Sequence, residues 1–261
     1  MSARSTNAED YQRIRPAVAA MPKDFAPGET VRPHRHERAQ LLFAVRGVMQ
    51  VTTPVGTWIV PPQRAVWVPP ATEHALRMIG AVAMRTLYIA PAAAAGLPAQ
   101  CQVIEVSPLL RELILAAMEE PVDYPPGSRG ALIAQLLLHE IEGVGALPLH
   151  LPMPQEQRLR RVCRLVLERI GADLGLETLA AEAGMSSRSL ARLFLRETGM
   201  GFQAWRQQAR LAEALKRLSE GQPVALVAAD LGYASPAAFT AMFRRSFGTT
   251  PSRYFAQPLR R

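Results

Sequence analysis

Cysteine is scarce in this chain of 261 residues, and its two examples, Cys101 and Cys163, lie far apart in the sequence. Neither belongs to a C-x-x-C pair, which is the spacing typical of redox-active and zinc-binding cysteines. Two such separated residues do not form a disulfide framework. We therefore expect both thiols to be reduced, as thiols are in the cytosol.

Long apolar runs are also missing. No stretch of 18 or more apolar residues occurs, so the sequence predicts no transmembrane helix. Acidic residues and arginine precede the first apolar run, unlike the pattern of a secretory signal peptide. The fingerprints of a nucleophile elbow, a phosphate-binding loop and a dinucleotide-binding fold are absent as well. We therefore expect a cytoplasmic protein that binds no membrane and is not an enzyme.

Acidic residues are under-represented in one half of the chain. Residues 1–153 carry 13 Lys+Arg and 13 Asp+Glu, whereas residues 154–261 carry 17 and 9. The whole net charge of +8 therefore falls on the C-terminal segment. A basic module joined to a neutral one is typical of a nucleic-acid-binding domain with a sensing domain. A basic face that is merely solvated is the alternative.

The basic segment contains one pattern twice. LAAEAGMSSRSLARLFLRETG begins at Leu179, and VAADLGYASPAAFTAMFRRSFG begins at Val227. Each copy predicts a helix of small residues, a turn at a glycine (Gly184, Gly232) and a second amphipathic helix. The second turn holds one extra residue. This is the pattern of a helix-turn-helix, whose second helix enters the major groove of DNA.

Helical periodicity assigns the faces of the two second helices. We expect the inward faces to hold Leu190, Leu193 and Phe194, then Phe239, Met242, Phe243 and Phe247. The predicted outward residues are Arg188, Ala191, Arg192 and Leu195, then Ala237, Thr240, Ala241 and Arg244. Ser187 and Ser235 are predicted N-caps. The full set of predicted DNA contacts is Ser187, Arg188, Ala191, Arg192, Arg196, Ser235, Ala237, Thr240, Ala241, Arg244, Arg245 and Arg253.

Different contacts are expected from the two copies. Arg188 and Arg192 have the geometry for bidentate contacts to guanine, whereas the small residues of the second copy suit thymine methyl groups. Arg244, Arg245 and Arg253 suit phosphates. For any one arginine, a solvated surface position is the alternative. A helix at Gln203–Glu220 joins the copies and spans roughly 27 Å, which puts the two second helices about one DNA turn apart.

These motifs carry a family resemblance. LETLAAEAGMSSRSLARLFLRETG, RQQARLAEAL and DLGYASPAAFTAMFRRSFGTTPSRYF resemble the arabinose-regulator (AraC/XylS) family, including Gly248, Pro251 and Tyr254. The resemblance covers residues 155–257. It implies a DNA-binding transcription factor, most often an activator that touches RNA polymerase. By position, it implies base contacts from Arg188, Ala191 and Arg192, then Ala237, Thr240 and Ala241.

The N-terminal half alternates short apolar strands with proline and glycine over residues 21–91, after a lead-in at residues 1–20 that we expect to be poorly ordered. This predicts a β-barrel or sandwich. Helices are predicted at Pro108–Glu119 and Ser128–Glu142, with apolar positions that include Leu109, Leu113, Ala116, Leu132, Leu136 and Leu137. We expect these helices to pair in a homodimer. Pro148–Pro154 is predicted to be a stiff linker.

Histidines mark a candidate site in this half. His34 and His36, at i and i+2 on a predicted strand, should share a face that His74 can join. Gln40 would add a side-chain oxygen. Such a set predicts a site for Fe, Ni, Mn or Zn. The alternative is a polar pocket that holds no ion. Trp58, Trp67 and Arg64 are predicted at the mouth of the barrel, with ordinary packing as the alternative for each Trp.

The spacing resembles the two motifs of the cupin superfamily, with Gln40, Ala71 and Met78 replacing the usual Glu, Gly and Asn. It is similar to a subgroup that includes regulators of nitroimidazole resistance and of neighbouring efflux transporters. We therefore expect an α+β protein of two domains, an N-terminal cupin-like β-barrel and a C-terminal all-α double helix-turn-helix. The predicted segments are a sensor at 1–98, a helical dimerisation segment and linker at 99–153, and a DNA-binding domain at 154–261.

The expected function is a regulator of transcription that binds double-stranded DNA. Its cupin domain would sense a small-molecule effector or a metal and control a nearby gene. A metal-dependent cupin enzyme fused to a DNA-binding tail is the alternative, and it would need open metal positions and a general acid or base. An architectural DNA protein without sensing is a third hypothesis, against which the histidine pocket argues.

Overall fold

The computed structural model describes residues 4–147 and 149–256. Residues 1–3, Pro148 and residues 257–261, which the predicted segments include, lie outside this description. The chain divides into two compact units. The first contains the residues up to Pro54 and Trp58–Leu149, and the second contains Val55–Thr57 and the residues from His150 onward. Within the described residues, no helix is long and apolar enough to cross a membrane.

The first unit is built on a β-sheet. Its strands run in the order β1-β6-β3-β5-β7-β8, with β2 paired to β6 and β4 paired to β3. Their bounds are β1 Val18–Phe25, β2 Thr30–His34, β3 Ala39–Thr53, β4 Gly56–Val60, β5 Arg64–Val68, β6 His74–Ile89, β7 Gln102–Glu105 and β8 Ala146–Leu147. The described strands give no pairing of β1 with β8, so the sheet is curled and open rather than the closed barrel that we expected.

Two long antiparallel strands form the centre of this sheet. These strands, β3 and β6, are longer than the short strands that the sequence predicts, and they pair from Ala39 opposite Ile89 to Thr52 opposite Ala75. The register shifts between Ala44 and Val48, around Gly47, whose φ is +78°. Such irregularities bend strands strongly. The bend curls the sheet and brings distant parts of β6 toward one pocket.

Helices cover one face of the sheet. α1 (Pro108–Glu119) and α2 (Arg129–Glu142) are capped by the hydroxyl groups of Ser107 and Ser128. Their buried residues form a core with alternate residues of β3, β5 and β6. The predicted apolar stripe was partly wrong, because Leu109, Leu132 and Leu136 are 53%, 55% and 49% exposed. Two of the predicted positions, Leu113 and Leu137, are buried as expected. The remaining core positions are Leu110, Ile114, Ala117, Ile133, Ala134 and Ile141.

Residues 4–20 have a defined structure, contrary to the expectation of a poorly ordered lead-in. A 3-10 helix at Ala8–Tyr11 precedes β1, and the phenol ring of Tyr11 is buried. The guanidinium group of the buried Arg38 donates hydrogen bonds to the carbonyl oxygens of Gln12, Ile14 and Pro16. Because one side chain satisfies three backbone acceptors, residues 12–16 are held in place without regular secondary structure of their own.

The second unit is helical. Its helices are α3 Gln157–Glu168, α4 Leu176–Glu182, α5 Ser187–Thr198, α6 Phe202–Ser219, α7 Val224–Asp230, α8 Pro236–Phe247 and α9 Pro251–Ala256. The predicted joining helix is α6, shifted by one residue. Within the predicted linker, β9 (His150–Pro152) forms a short strand. The indole of Trp205 in α6 donates a hydrogen bond of 2.7 Å to the carbonyl of Pro152, which anchors this segment in the unit.

Candidate functional site

Both predicted helix-turn-helix motifs form. The first is α4, a turn at residues 183–186 and α5, and the second is α7, a turn at residues 231–235 and α8. The second turn is longer by one residue, as predicted. Gly184 and Gly232 adopt φ values of +64° and +74°, a left-handed conformation that glycine reaches without steric cost. The two glycines thus allow the sharp change of direction in each motif.

Serine hydroxyl groups start the two second helices. Ser235 is the N-cap of α8 and accepts a hydrogen bond from the backbone N–H of Ala238. The corresponding prediction for Ser187 was wrong. Ser186 is the N-cap of α5, because its hydroxyl oxygen accepts from the N–H of Ser189, and Ser187 is the first helical residue. Two adjacent serines can compete for this position, and the sequence alone does not separate them.

The predicted outward faces lie at the surface. On α5, Arg188, Arg192 and Arg196 are exposed, Ala191 is half-buried, and Leu195 is 54% exposed. On α8 and α9, Thr240 is half-buried and the exposed residues are Ala237, Ala241, Arg244, Arg245 and Arg253. Both second helices therefore present to solvent the small and basic side chains that a DNA groove admits.

The inward faces hold these helices in place. Leu190 and Phe194 of α5 are fully buried, and Phe194 packs edge-on against Trp205 with ring centroids 5.7 Å apart. On α8, Phe239, Met242 and Phe243 are buried. Leu193 and Phe247 were predicted to be core residues but are only half-buried. Phe247 packs on Phe243 and Tyr254 at the edge of the unit.

In the first unit, three histidines form a cluster. One potential ligand nitrogen from each of His34, His36 and His74 lies within 4.8 Å of the other two. The prediction that His34 and His36 share one face of a strand was wrong, because β2 ends at His34 and His36 lies in the following loop. His34 and His74 come together as directly paired residues of β2 and β6. His36 then folds over them, with its ring centroid 4.8 Å from that of His34.

Backbone carbonyl groups orient two of the rings. Nδ1 of His34 lies 2.7 Å from the carbonyl oxygen of Arg32, and Nδ1 of His74 lies 2.9 Å from that of Thr72. In the neutral tautomer that donates these bonds, Nε2 carries the free lone pair, as in metal-ligating histidines. Nε2 of His74 and both ring nitrogens of His36 are buried without a hydrogen-bond partner among the described residues. Buried polar atoms of this kind point to a missing partner.

Burial lowers the pKa of two of the three clustered histidines. Burial, with the nearby charges of His34 and His74, lowers the pKa of His36 to about 4. Burial also lowers the pKa of His74 to about 4, although its hydrogen bond to Thr72 opposes the shift. Both imidazoles are therefore neutral at pH 7, which is the form that binds a metal ion.

The other predicted pocket residues have different roles. Gln40 is buried, its side chain is hydrogen-bonded to the phenol of Tyr88, and its Oε1 has no partner among the described residues. Trp58 and Trp67 are buried rather than at a mouth, and Trp67 packs in the core below α1 and α2. Arg64 forms an ion pair with Glu105 at 3.1 Å. Tryptophan rings contribute a large apolar area to a protein core, so packing explains both positions.

Two aromatic residues adjoin the cluster without having been predicted. The ring of Tyr88 packs edge-on against His36 at 5.5 Å, and the ring of Tyr11 stacks on Tyr88 at 5.5 Å. Tyr88 lies opposite Gln40 in the sheet register, so strand alternation could have placed it on the pocket side once the pairing was known. Tyr11 follows no motif, and its position depends on the fixed N-terminal segment.

Ala71 lies at one of the departures from the cupin pattern. Its φ is +58°, the left-handed region in which the usual glycine is unstrained. Its backbone N–H donates a hydrogen bond of 2.8 Å to the carbonyl of His36. This contact holds the loop that carries His36, so the turn keeps its shape despite the alanine.

The two units define a class of protein. A curled sheet that carries a histidine cluster is combined with two helix-turn-helix motifs, which are DNA-binding elements of transcription regulators. Comparisons with known families agree: an AraC-like ligand binding domain matches residues 25–141, and a helix-turn-helix domain matches residues 179–257.

The relatives identify the family. The chain is 35% identical over 224 residues to the HTH-type transcriptional regulator NimR of Escherichia coli K12, covering 86% of this chain and 82% of that protein. It is 28% identical over 127 residues to the arabinose operon regulatory protein of the same organism, covering 48% and 42%. The protein described here belongs to the AraC family of transcriptional regulators. Among solved structures, the DNA-binding domain of AdpA in complex with a target DNA is 34% identical and covers 39% of this chain and 92% of that chain, with a TM-score of 0.36.

Proposed function

We propose that this regulator responds to a divalent metal, or to a small molecule bound through that metal, at His34, His36 and His74. The observation that carries the proposal is the arrangement of the rings: backbone carbonyls fix two of them, and buried nitrogens are left without partners. Three imidazoles form a site for Zn, Ni, Fe or Mn that leaves further coordination positions open. Gln40 Oε1 would be a fourth protein donor or a hydrogen-bond partner for the effector.

We further propose that the protein is not an enzyme. The cluster has three histidines and, among the described residues, no carboxylate belongs to it. A His₂-carboxylate set of the kind used by non-haem iron oxygenases is therefore not formed by this group. The relatives named above are regulators. A metal-dependent reaction of the sensor domain is the alternative function, and turnover of a substrate by the metal-loaded protein would favour it.

Metal titration of the purified full chain tests the sensor. We expect one ion per chain, measured by elemental analysis after dialysis against Zn²⁺, Ni²⁺, Mn²⁺ or, without oxygen, Fe²⁺. H36A and H74A should lose the ion. H139A is the matched control, because His139 is exposed on α2 and lies outside the cluster. If the wild-type protein gains no ion, the metal hypothesis is wrong, and the histidines would instead form hydrogen bonds to an organic effector.

For DNA recognition we propose unequal contacts from the two motifs. Arg188 and Arg192 contact guanine, while Ala237, Thr240 and Ala241 meet thymine methyl groups. Arg196, Arg244, Arg245 and Arg253 contact phosphates. The 18 residues of α6 extend roughly 27 Å, which suits two successive major grooves. Ser187 and Ser235 lie beside these contacts at the helix starts, with Ser235 acting as a cap.

We propose the following division of labour: sensing by residues 1–98, dimerisation by 99–153 and DNA binding by 154–261. The exposed leucines of α1 and α2 support a homodimer, because water-exposed apolar side chains are stabilised when a second copy covers them. The protein would act in the cytoplasm on a gene near its own and touch RNA polymerase there. The subgroup resemblance favours an efflux transporter as the target, and transcript levels of the neighbouring genes in a deletion strain would test this.

A further inference from the structure

Helix α3 carries a basic surface that the two helix-turn-helix motifs do not include. Its buried side is formed by Leu159, Val162, Cys163 and Val166. The opposite side holds Arg160, Arg161 and Arg164, all of them exposed. At 3.6 residues per turn these three arginines share one face, which begins near Gln157 and ends near Glu168. We call these three arginines the α3 basic face.

The guanidinium groups of this face have no protein partner. Three other arginines of the second unit form ion pairs: Arg158 with Glu156, Arg206 with Asp173, and Arg217 with Glu213 and Asp230. The arginines of the α3 basic face make no side-chain hydrogen bond or ion pair within residues 4–147 and 149–256. In this they match the arginines on the exposed faces of α5 and α8, which are Arg188, Arg192, Arg196, Arg244 and Arg245.

The start of α3 is tied to the first recognition helix. The carboxylate of Glu197, in the last turn of α5, accepts hydrogen bonds of 2.9 Å from the backbone N–H groups of Gln155 and Glu156. These are the residues immediately before α3. The α3 basic face is therefore held at a fixed position relative to the helix that enters the first groove.

We propose that the α3 basic face binds phosphates of the DNA backbone beyond the bases contacted by α5 and α8. Unpaired arginines on a rigid helix bind phosphates by charge-assisted hydrogen bonds and release condensed counterions from DNA. The proposal rests on DNA binding by the motifs and adds a third contact region.

The salt dependence of DNA binding by the full chain tests the proposal. The probes are a fragment from upstream of the protein's own gene and a random-sequence fragment of equal length. R160A/R164A should weaken binding to both probes, and the slope of log K against log salt should fall by about 2, since each phosphate contact contributes about 0.9. R46A/R77A is the charge-matched control, because both arginines are exposed in the first unit, and its slope should equal that of the wild type.

Two further measurements keep the outcomes distinct. R160K/R164K retains the charges and should recover most of the slope, which a general loss of folding would not allow. An unchanged salt slope in R160A/R164A would overturn the proposal. Unchanged DNA binding together with reduced transcription in a purified system would also overturn it, because the α3 basic face would then contact RNA polymerase. A wild-type protein that bound neither probe would contradict the proposed DNA recognition itself.

Discussion

Gly171 and Gly232 contact each other through their backbones. A Cβ atom on Gly232 would lie far inside the van der Waals radius of the carbonyl oxygen of Gly171, and one on Gly171 would overlap the carbonyl oxygen of Asp230. Gly171 follows α3, and Gly232 is in the turn of the second helix-turn-helix. The contact therefore joins the loop after α3 to the second helix-turn-helix, and Arg210 supports it by donating a hydrogen bond to the carbonyl of Ile170.

Alanine at Gly232 should destabilise the second unit by more than about 2 kcal/mol, because conformational strain at a positive φ of about 1 kcal/mol adds to a backbone clash. Gly184 is the matched control. It lies at the same point of the first motif with a φ of +64°, and nothing lies within 4 Å of an added Cβ. Calorimetric unfolding of the full chain should show a small shift for G184A and a large one for G232A. Equal shifts would contradict the importance of the contact.

Local patterns predicted the helices better than they predicted the contacts between them. Periodicity and capping residues placed α1, α2 and α6, and the starts of α5 and α8, within one residue, because those signals lie within a few residues of each helix end. The Gly171–Gly232 contact joins residues 61 positions apart, so no local signal specifies it. The same holds for the histidines: the sequence identified all three, but the pairing of His34 with His74 depends on the register of β2 on β6.

Replacing Arg38 by methionine should destabilise the first unit by about 3 kcal/mol, because three carbonyl oxygens in buried or partly buried hydrogen bonds would lose their donors. Each loss costs about 1 kcal/mol, the low end of the range for an unsatisfied group, where burial is partial. Methionine keeps most of the side-chain volume, so the effect reports the hydrogen bonds. R77M is the control, since Arg77 is exposed, and should stay within about 0.5 kcal/mol. Protease cleavage near residues 12–16 should accelerate in R38M. Wild-type stability and cleavage in R38M would show that the segment is held by other contacts.

Arginines on the two recognition helices should differ in whether they contribute to DNA sequence specificity or to overall DNA affinity. R192A should lose about 1–3 kcal/mol on the specific site and relax the preference at one base pair, because a bidentate guanine contact disappears. R245A should weaken all sequences alike and lower the salt slope by about 1. Competition binding with a set of single-base variants of the site separates the two effects. If R192A kept the wild-type ranking of those variants, Arg192 would not contact a base.

The dimer should depend on the exposed leucines of α2. Leu132 and Leu136 are 55% and 49% exposed in the single chain, so lysine at these positions leaves the core intact but places charges in any interface that covers them. Light scattering of the wild type at micromolar concentration should give twice the 28.6 kDa mass of one chain, and L132K/L136K should give the mass of one chain. L226K is the matched control, because Leu226 is 49% exposed on α7, and should leave the dimer unchanged.

The double variant L132K/L136K should also bind a DNA fragment with two sites less tightly than the wild type, since linked binding modules gain effective concentration. A wild type of 28.6 kDa, or a double variant that stays dimeric, would rule out this surface as the interface.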